Sequence, residues 1–235
     1  MIRFENVTKT FPHNPSVLEG ITLSIMPGEF VSLVGPSGAG KSTFLKLIYA
    51  EEIPSEGEVY FLERPLSAIN RKHLPYYRRN IGTVFQDFKL LPQRTAFENV
   101  SYALEVDGVS SEEINAIVPE VLNMVGLGDK MQKFPKQLSG GEQQRVAMAR
   151  AFITKPKLII ADEPTGNLDP RSADEILDLL MEINSYGTTV LLATHNRHMV
   201  DSLGRRVIAI NDGRIASDEM HGKYFDAPAR KQTKL

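Results

Sequence analysis

Residues 35–42 read Gly35-Pro36-Ser37-Gly38-Ala39-Gly40-Lys41-Ser42, which fits the pattern G-x-x-x-x-G-K-[ST]. The apolar run Phe30–Val34 precedes them and predicts a short buried strand, and the residues from Lys41 onward predict a helix. This pattern binds phosphate between a strand and a helix, because its glycines let backbone N–H groups point inward. An ordinary glycine-rich turn is therefore the less favoured interpretation. The stretch predicts a nucleotide-phosphate site.

The loop also predicts individual roles. We expect Lys41 to reach the β- and γ-phosphates and the Ser42 hydroxyl to bind Mg²⁺. The helix that begins near Lys41 adds the positive end of its dipole. The residues expected to contact the nucleotide here are Gly35, Pro36, Ser37, Gly38, Ala39, Gly40, Lys41, Ser42 and Thr43.

A second motif is an apolar run, residues 158–161, that ends in Asp162 and Glu163. A carboxylate at the end of a buried strand can reach a metal ion directly or through water, which is the role expected of Asp162. Glu163 leaves the strand in another direction and can polarise an attacking water as general base. Alone, such a pair could be a solvated strand end, but its pairing with the phosphate loop favours the catalytic interpretation.

The composition limits the class of protein. The chain has 235 residues, of which 42% are hydrophobic and 24% charged, as in ordinary globular domains. Its formal net charge of −2 argues against a general nucleic-acid binder, which needs a basic surface to displace counterions. The absence of cysteine excludes disulfides and thiolate metal sites. No apolar run approaches the roughly 18 residues that cross a bilayer, and residues 1–6 lack the core of a signal peptide. We therefore expect a cytoplasmic protein.

The remaining pattern predicts an α/β core with a helical insertion. Strands are expected at residues 2–11, 17–25, 58–62, 81–85, 158–161 and 188–193, and in a hairpin of residues 207–210 and 214–217; residues 12–15 are expected to form a loop. Between about residues 87 and 137 no strand is predicted. Ser110 and Glu113 form a capping box there, and apolar residues follow at helical spacing. A further helix is expected at residues 172–184.

A third motif reads Leu138-Ser139-Gly140-Gly141-Glu142-Gln143-Gln144-Arg145 and is predicted to open a helix that runs to about Phe152. It resembles the signature of the ABC ATPases. By itself it could be an N-cap serine with two flexible glycines, but the other ABC elements are present in the family's order. The resemblance covers nearly the whole chain. It implies a P-loop NTPase (RecA-like) core with an antiparallel β subdomain and an inserted α-helical subdomain.

The resemblance assigns further residues to the site. Phe11 stands where the family places an adenine-stacking aromatic, usually tyrosine; Gln86 resembles the Q-loop glutamine and His195 the switch histidine. Taken singly, each could be structural, and their positions in the series favour the site. Further nucleotide contacts are implied for Ser139, Gly140 and Gly141 and for Asp169 of the D-loop stretch 166–169.

The resemblance implies that the chain hydrolyses ATP with the help of Mg²⁺. The resemblance implies a single ABC ATPase domain over residues 1–235. Residues 1–86 and 155–220 would form the β subdomain and the RecA-like core, residues 87–154 the helical subdomain, and residues 221–235 a basic tail. The implied catalytic residues are Lys41, Gln86, Glu163 and His195, and the implied metal ligands are Ser42, Gln86 and Asp162.

The resemblance also implies partners. Ser139 and Gly141 are expected to contact the γ-phosphate held by a second subunit, so we expect a head-to-tail homodimer with ATP at its interface. Within the family, residues 1–7 and 77–92 are most similar to members that act in cell division. An integral membrane partner would dock near residues 86–92, from Gln86 to Pro92. Phe88, Leu90 and Leu91 are candidate contacts there, unless they are buried within the insertion.

Other classes remain at this point. The chain could be the ATPase subunit of a lipoprotein-releasing or efflux system, or of an amino-acid importer. A soluble ABC protein acting on ribosomes or DNA usually carries two cassettes or long coiled coils, which the sequence does not show. A P-loop kinase would not explain the signature. A binding-only relative is disfavoured, because Lys41, Ser42, Asp162, Glu163 and His195 are all intact.

Overall fold

The structure is a computed structural model that describes residues 1–12 and 14–225. Most of the predicted basic tail, residues 226–235, lies outside the described residues. Within them the strands are β1 (Ile2–Phe11), β2 (Asn14–Ile25), β3 (Phe30–Val34), β4 (Glu56–Phe61), β5 (Arg64–Pro65), β6 (Ile81–Phe85), β7 (Leu158–Asp162), β8 (Thr189–Ala193), β9 (Arg206–Asn211) and β10 (Arg214–Glu219). The α-helices are α1 (Lys41–Ile48), α2 (Leu74–Arg78), α3 (Ala96–Val106), α4 (Ser111–Met124), α5 (Gly140–Phe152), α6 (Pro170–Ser185) and α7 (Arg197–Leu203).

The chain divides into two compact units. The first unit contains residues 1–24, 31–67 and the chain from residue 194 onward. Here β4 pairs antiparallel with β1 and β5, and β2 lies on the other side of β1. Strand β9 pairs parallel with β3 and antiparallel with β10. The buried rings of Phe4 and Phe44 stack with their centroids 4.3 Å apart, which joins β1 to α1 through an aromatic contact in the core.

The second unit contains residues 25–30 and 68–193. Strands β6, β7 and β8 pair parallel in that order. β8 is buried throughout, as expected for a parallel strand covered on both faces. The helical part consists largely of α3, α4 and α5, which pack against one another. The face of α4 that carries Ile114, Val118 and Leu122 is buried, and this burial follows from the helical spacing of its apolar residues.

Most of the predicted elements are confirmed, including the strand and helix that flank residues 35–40 and the capping box at Ser110. The loop predicted over residues 12–15 is wrong in part, because β2 begins at Asn14. β2 is an edge strand, and an edge strand tolerates proline, whose missing N–H can face solvent. The division into residues 1–86, 87–154 and 155–220 stays a prediction. In the described ranges, no helix is long and apolar enough to span a membrane.

Candidate nucleotide site

The phosphate loop lies in the first unit, between β3 and α1. Gly35 has φ 148°, and a Cβ built on it would lie 2.1 Å from the carbonyl oxygen of Ile210. Gly40 has φ 107°, and its Cβ would lie 2.7 Å from the carbonyl oxygen of Val17. Neither position can hold a side chain without moving backbone. The glycines of the motif therefore shape the loop as well as leave room for a ligand.

The open end of this loop suits an anion. Gly40 is the N-cap residue of α1 and has no side chain with which to cap the first-turn N–H groups. The Lys41 ammonium donates to the carbonyl oxygens of Gly35 at 2.7 Å and Pro36 at 3.2 Å, so it lies over the loop. The tip, residues 36–38, is exposed. A cation and helical N–H groups at one exposed loop are the elements that bind phosphate.

Two other predicted site residues belong to the first unit. Phe11 ends β1, and the Lys9 ammonium lies 4.7 Å from the centroid of its ring. That ammonium is fixed by Glu52 at 2.8 Å and by the carbonyl oxygen of Ile53 at 2.8 Å. The aromatic ring is therefore held by a cation–π contact. His195 is exposed and lies in the segment that joins β8 to α7.

The acidic pair lies in the second unit at the end of β7. Asp162 is the last residue of that strand, in register with Phe85 of β6 and Ala193 of β8. Glu163 follows with φ 49°, and its N–H donates to the carbonyl oxygen of Ala193 at 2.8 Å. A left-handed backbone conformation is uncommon for glutamate. It changes the direction in which the Glu163 side chain leaves the backbone relative to that of Asp162. Both side chains are half-buried.

Gln86 directly follows β6 and contacts the D-loop stretch. Its Nε2 donates to Oδ1 of Asn167 at 3.2 Å, and Nδ2 of Asn167 donates back to the carbonyl oxygen of Gln86 at 3.1 Å. The two amide side chains thus join the end of β6 to the turn after Glu163. This contact was not predicted from the sequence.

The signature motif begins α5 as predicted. Ser139 is its N-cap residue, and its hydroxyl accepts the N–H of Glu142 at 3.3 Å, while Glu142 accepts the N–H of Ser139 at 2.8 Å. Lys130 forms an ion pair with the Glu142 carboxylate, and this pair, followed by the bonds from Ser139, holds the pKa of Glu142 below its ordinary value. The capping box therefore fixes the start of α5, where Gly140 and Gly141 follow.

Gln144 is a structural residue of this motif that sequence reasoning missed. Its side chain is completely buried. Nε2 donates to the carbonyl oxygen of Pro164 at 2.7 Å and more weakly to that of Phe85 at 3.4 Å. It ties α5 to the ends of β6 and β7. The signal was available, since Gln144 lies at helical spacing with the buried Ala147, Met148 and Ala151 and so occupies a core-facing position.

Asp169, predicted as a nucleotide contact, is the N-cap residue of α6. Its Oδ1 accepts the N–H of Ser172 at 3.1 Å, and its Oδ2 accepts the Ser172 hydroxyl at 2.6 Å. These hydrogen bonds hold the pKa of Asp169 below its ordinary value. Asp169 is exposed, so its capping role leaves it at the surface of the second unit.

The segment from Gln86 to Pro92 is well anchored. Arg150 of α5 donates to the carbonyl oxygens of Lys89 at 2.8 Å and Phe88 at 3.1 Å, and burial lowers the pKa of its guanidinium. Phe88, Leu90 and Leu91 are half-buried. They are thus neither fully exposed for a membrane partner nor fully buried within the helical insertion.

Asn99 of α3 holds the C-terminal part of this segment and was also missed by sequence reasoning. It is completely buried, and its Nδ2 donates to the carbonyl oxygens of Leu91, Arg94 and Thr95 at 2.9–3.1 Å. Its Oδ1 accepts the N–H of Leu91 at 2.8 Å. Only the packed structure reveals this role.

The predicted metal ligands carry oxygen donors, the kind that Mg²⁺ prefers. Within residues 1–12 and 14–225, no group of three or more His, Asp or Glu side chains could hold a metal ion by itself. Mg²⁺ is usually bound through one or two carboxylates together with substrate phosphates. The exposed hydroxyl of Ser42 and the carboxylate of Asp162 are donors of that kind.

Comparisons with known proteins agree with these features. The family model described as ABC transporter matches residues 18–166. The chain is 53% identical to the cell division ATP-binding protein FtsE of Bacillus subtilis (strain 168), over 95% of this chain and 98% of that protein. It is 45% identical to the FtsE of Escherichia coli (strain K12), over 92% of this chain and 97% of that protein. It is also similar to the dimeric, post-hydrolysis structure of the ATP-binding cassette MJ0796 bound to ADP and Pi, with a TM-score of 0.85, 39% identity and coverage of 95% and 100% of the two chains.

Proposed function

The chain belongs to the ABC transporter family of ATPases, and from this premise we propose that it is the ATP-hydrolysing subunit of a membrane complex that acts in cell division. Membership confirms the resemblance found in the sequence and the predicted fold class. The observation that carries the cell-division role is the 53% identity to an FtsE protein over 95% of the chain. The lipoprotein-releasing, efflux and amino-acid import alternatives are not favoured.

The proposed reaction is in-line attack of water on the γ-phosphate of ATP. Lys41 would neutralise charge on the phosphates, Glu163 would take a proton from the attacking water, and His195 would hold the γ-phosphate. Gln86 would orient the water. The support is the loop geometry around Lys41 and the position of Glu163 at the end of β7.

The proposed magnesium ligands are Ser42, Gln86 and Asp162. When bound, Mg²⁺ neutralises charge on the phosphate oxygens and orients them. Phe11 would stack on adenine with the ring face that Lys9 leaves uncovered. The tyrosine hydroxyl common in the family is absent at this position, but stacking requires only the ring.

A homodimer is proposed for the ATP-bound state. The solved cassette MJ0796 is described as dimeric and bound to ADP and Pi. The chain carries one phosphate loop and one signature motif. Ser139, Gly140 and Gly141 would bind the γ-phosphate held by a second copy, where the N-terminus of α5 presents N–H groups and a positive dipole end. Asp169 would lie near the same nucleotide.

The proposed membrane partner is an FtsX-like integral protein that relays the closing of the dimer outward to control cell-wall hydrolases. It would dock on the segment from Gln86 to Pro92, which is held by Arg150 and Asn99 and so can transmit force to α5 and α3. Through this partner the chain would lie at the inner face of the cell membrane. Other division proteins could join the complex, and no nucleic acid is proposed as a partner.

The proposed general base is tested by Glu163→Gln. This variant should bind ATP with unchanged affinity but turn over at least roughly a hundredfold more slowly, the scale of a lost general base. Glu120→Gln, on the exposed face of α4, is the matched control and should keep wild-type turnover. Near-normal turnover of Glu163→Gln would assign the base to another group, and a wild type without turnover would refute the proposed ATPase chemistry.

A further inference from the structure

The contact between Gln86 and the D-loop stretch assigns a role to two residues that the proposed reaction does not use. We propose that Gly166 and Asn167 are positioning residues, which hold the side chain of Gln86 in the orientation that hydrolysis requires. The proposal rests on the function proposed above only for the role of Gln86. The contact itself lies wholly within the second unit.

Asn167 binds Gln86 through both halves of its amide. Its Oδ1 accepts Nε2 of Gln86 at 3.2 Å, and its Nδ2 donates to the Gln86 carbonyl oxygen at 3.1 Å. The first bond restricts the Gln86 side chain, and the second fixes the backbone from which that side chain leaves. Gln86 is exposed, and an exposed glutamine has several accessible rotamers. A pair of hydrogen bonds of this kind is what selects one of them.

Gly166 restricts the same side chain sterically. A Cβ built on Gly166 would lie 2.7 Å from Nε2, 2.9 Å from Cδ and 3.2 Å from Cγ of Gln86. The three atoms all belong to one flexible side chain. An alanine at position 166 would therefore displace Gln86 and leave backbone in place. The Gln86 side chain thus packs directly on the main chain at Gly166.

The same turn also contacts the proposed general base. The N–H of Gly166 donates to the carbonyl oxygen of Glu163 at 3.1 Å. The turn that follows Glu163 thus bonds to the backbone of Glu163 through Gly166 and to Gln86 through Asn167. This short connection links the backbone of Glu163 to Gln86 within the second unit. It explains why loss of either positioning residue should affect turnover more than ATP affinity.

The test uses Asn167→Ala and Gly166→Ala in the full chain, with Asn115→Ala on the exposed face of α4 as the matched control. Each positioning variant should lower kcat about tenfold, which corresponds to about 1.4 kcal/mol of barrier, while the Kd for ATP changes less than about twofold. Hydrogen–deuterium exchange should rise in the peptide that covers residues 86–92. The control should match the wild type in all three measurements.

The decisive arm repeats both substitutions in a Gln86→Ala background. In this background the side-chain atoms that clash with position 166 and donate to Asn167 are absent, and only the bond from Asn167 to the carbonyl oxygen of residue 86 remains. No glutamine side chain is left to orient, so neither substitution should lower kcat further. A further tenfold fall in kcat on top of that caused by Gln86→Ala would overturn the proposal. Single variants with the kcat of the wild type would overturn it as well. A wild type without ATP turnover would instead refute the proposed function. Hydrogen–deuterium exchange in residues 86–92 would still test the contact in that case. Unchanged exchange in both single variants would overturn the proposed contact.

Discussion

Three glycines of the phosphate loop should respond very differently to alanine, although all three have positive φ. Gly38 has φ 78° with no atom within 4 Å of a built Cβ. At Gly40 the Cβ would lie 2.7 Å from the carbonyl oxygen of Val17 and 2.8 Å from Cδ2 of Leu18. At Gly35 it would lie 2.1 Å from the carbonyl oxygen of Ile210. The three sites thus separate backbone strain from steric clash.

The magnitudes follow from these distances. Gly38→Ala adds only the strain of a non-glycine residue at positive φ, about 1 kcal/mol. Gly40→Ala adds the same strain and an overpacking cost of about 2 kcal/mol, because one of the two close atoms belongs to backbone. Gly35→Ala needs a backbone shift of roughly 1 Å or more and should cost the most, above about 4 kcal/mol.

Thermal unfolding without nucleotide is the assay. In a chain of this size 1 kcal/mol shifts Tm by about 2–4 °C. We therefore expect Tm to fall by about 2–4 °C for Gly38→Ala and about 6–12 °C for Gly40→Ala, and still further for Gly35→Ala. Equal shifts at the three positions, or the largest shift at Gly38, would refute the reasoning that close backbone approach is what demands glycine at positions 35 and 40.

Two other predictions concern the supports of the site. Asn99→Ala removes four hydrogen bonds between the buried Asn99 side chain and the backbone of residues 91–95 and should lower the free energy of unfolding by about 3 kcal/mol; differential scanning calorimetry should show this as a large fall in Tm, and a change below about 2 °C would contradict it. The pKa of Glu142 is lowered from 4.5 in the folded state by Lys130 and by bonds from Ser139. The carboxylate therefore stabilises the fold above that value and loses this contribution as pH falls through its lower folded pKa. The Tm difference between wild type and Glu142→Gln should shrink as pH falls below about 4.5, and a constant difference down to strongly acidic pH would argue against this pair.

The elements that the sequence predicted well are those that local signals define. The strand and helix around residues 35–40 need only an apolar run, a glycine pattern and helical spacing, all of which lie within about 20 residues of each other. The capping box at Ser110 marks the start of helix α4. The same signal, Thr95 with Glu98, stands before α3 and would have located that helix as well.

The features that were missed depend on contacts between distant residues. Gln86 and Asn167 are 81 positions apart, and Gln144 and Phe85 are 59 positions apart. No local pattern relates such residues, so their hydrogen bonds emerge only from packing. Asp169 illustrates a further limit, since family resemblance implies a nucleotide contact while the folded chain also uses it to cap α6. One side chain can serve both purposes, and sequence pattern alone does not distinguish them.

The central claim, an ATPase of a cell-division membrane complex, is tested most directly by affinity purification of Glu163→Gln with ATP from gently solubilised source membranes, followed by mass spectrometry. The proposal predicts an FtsX-like integral membrane protein, together with division proteins, that is enriched with ATP and lost when Lys41 is changed to alanine. A solute permease or a lipoprotein-extracting subunit in its place would contradict the cell-division role while leaving the ATPase chemistry intact. Recovery of the chain with no membrane partner would contradict the membrane complex itself.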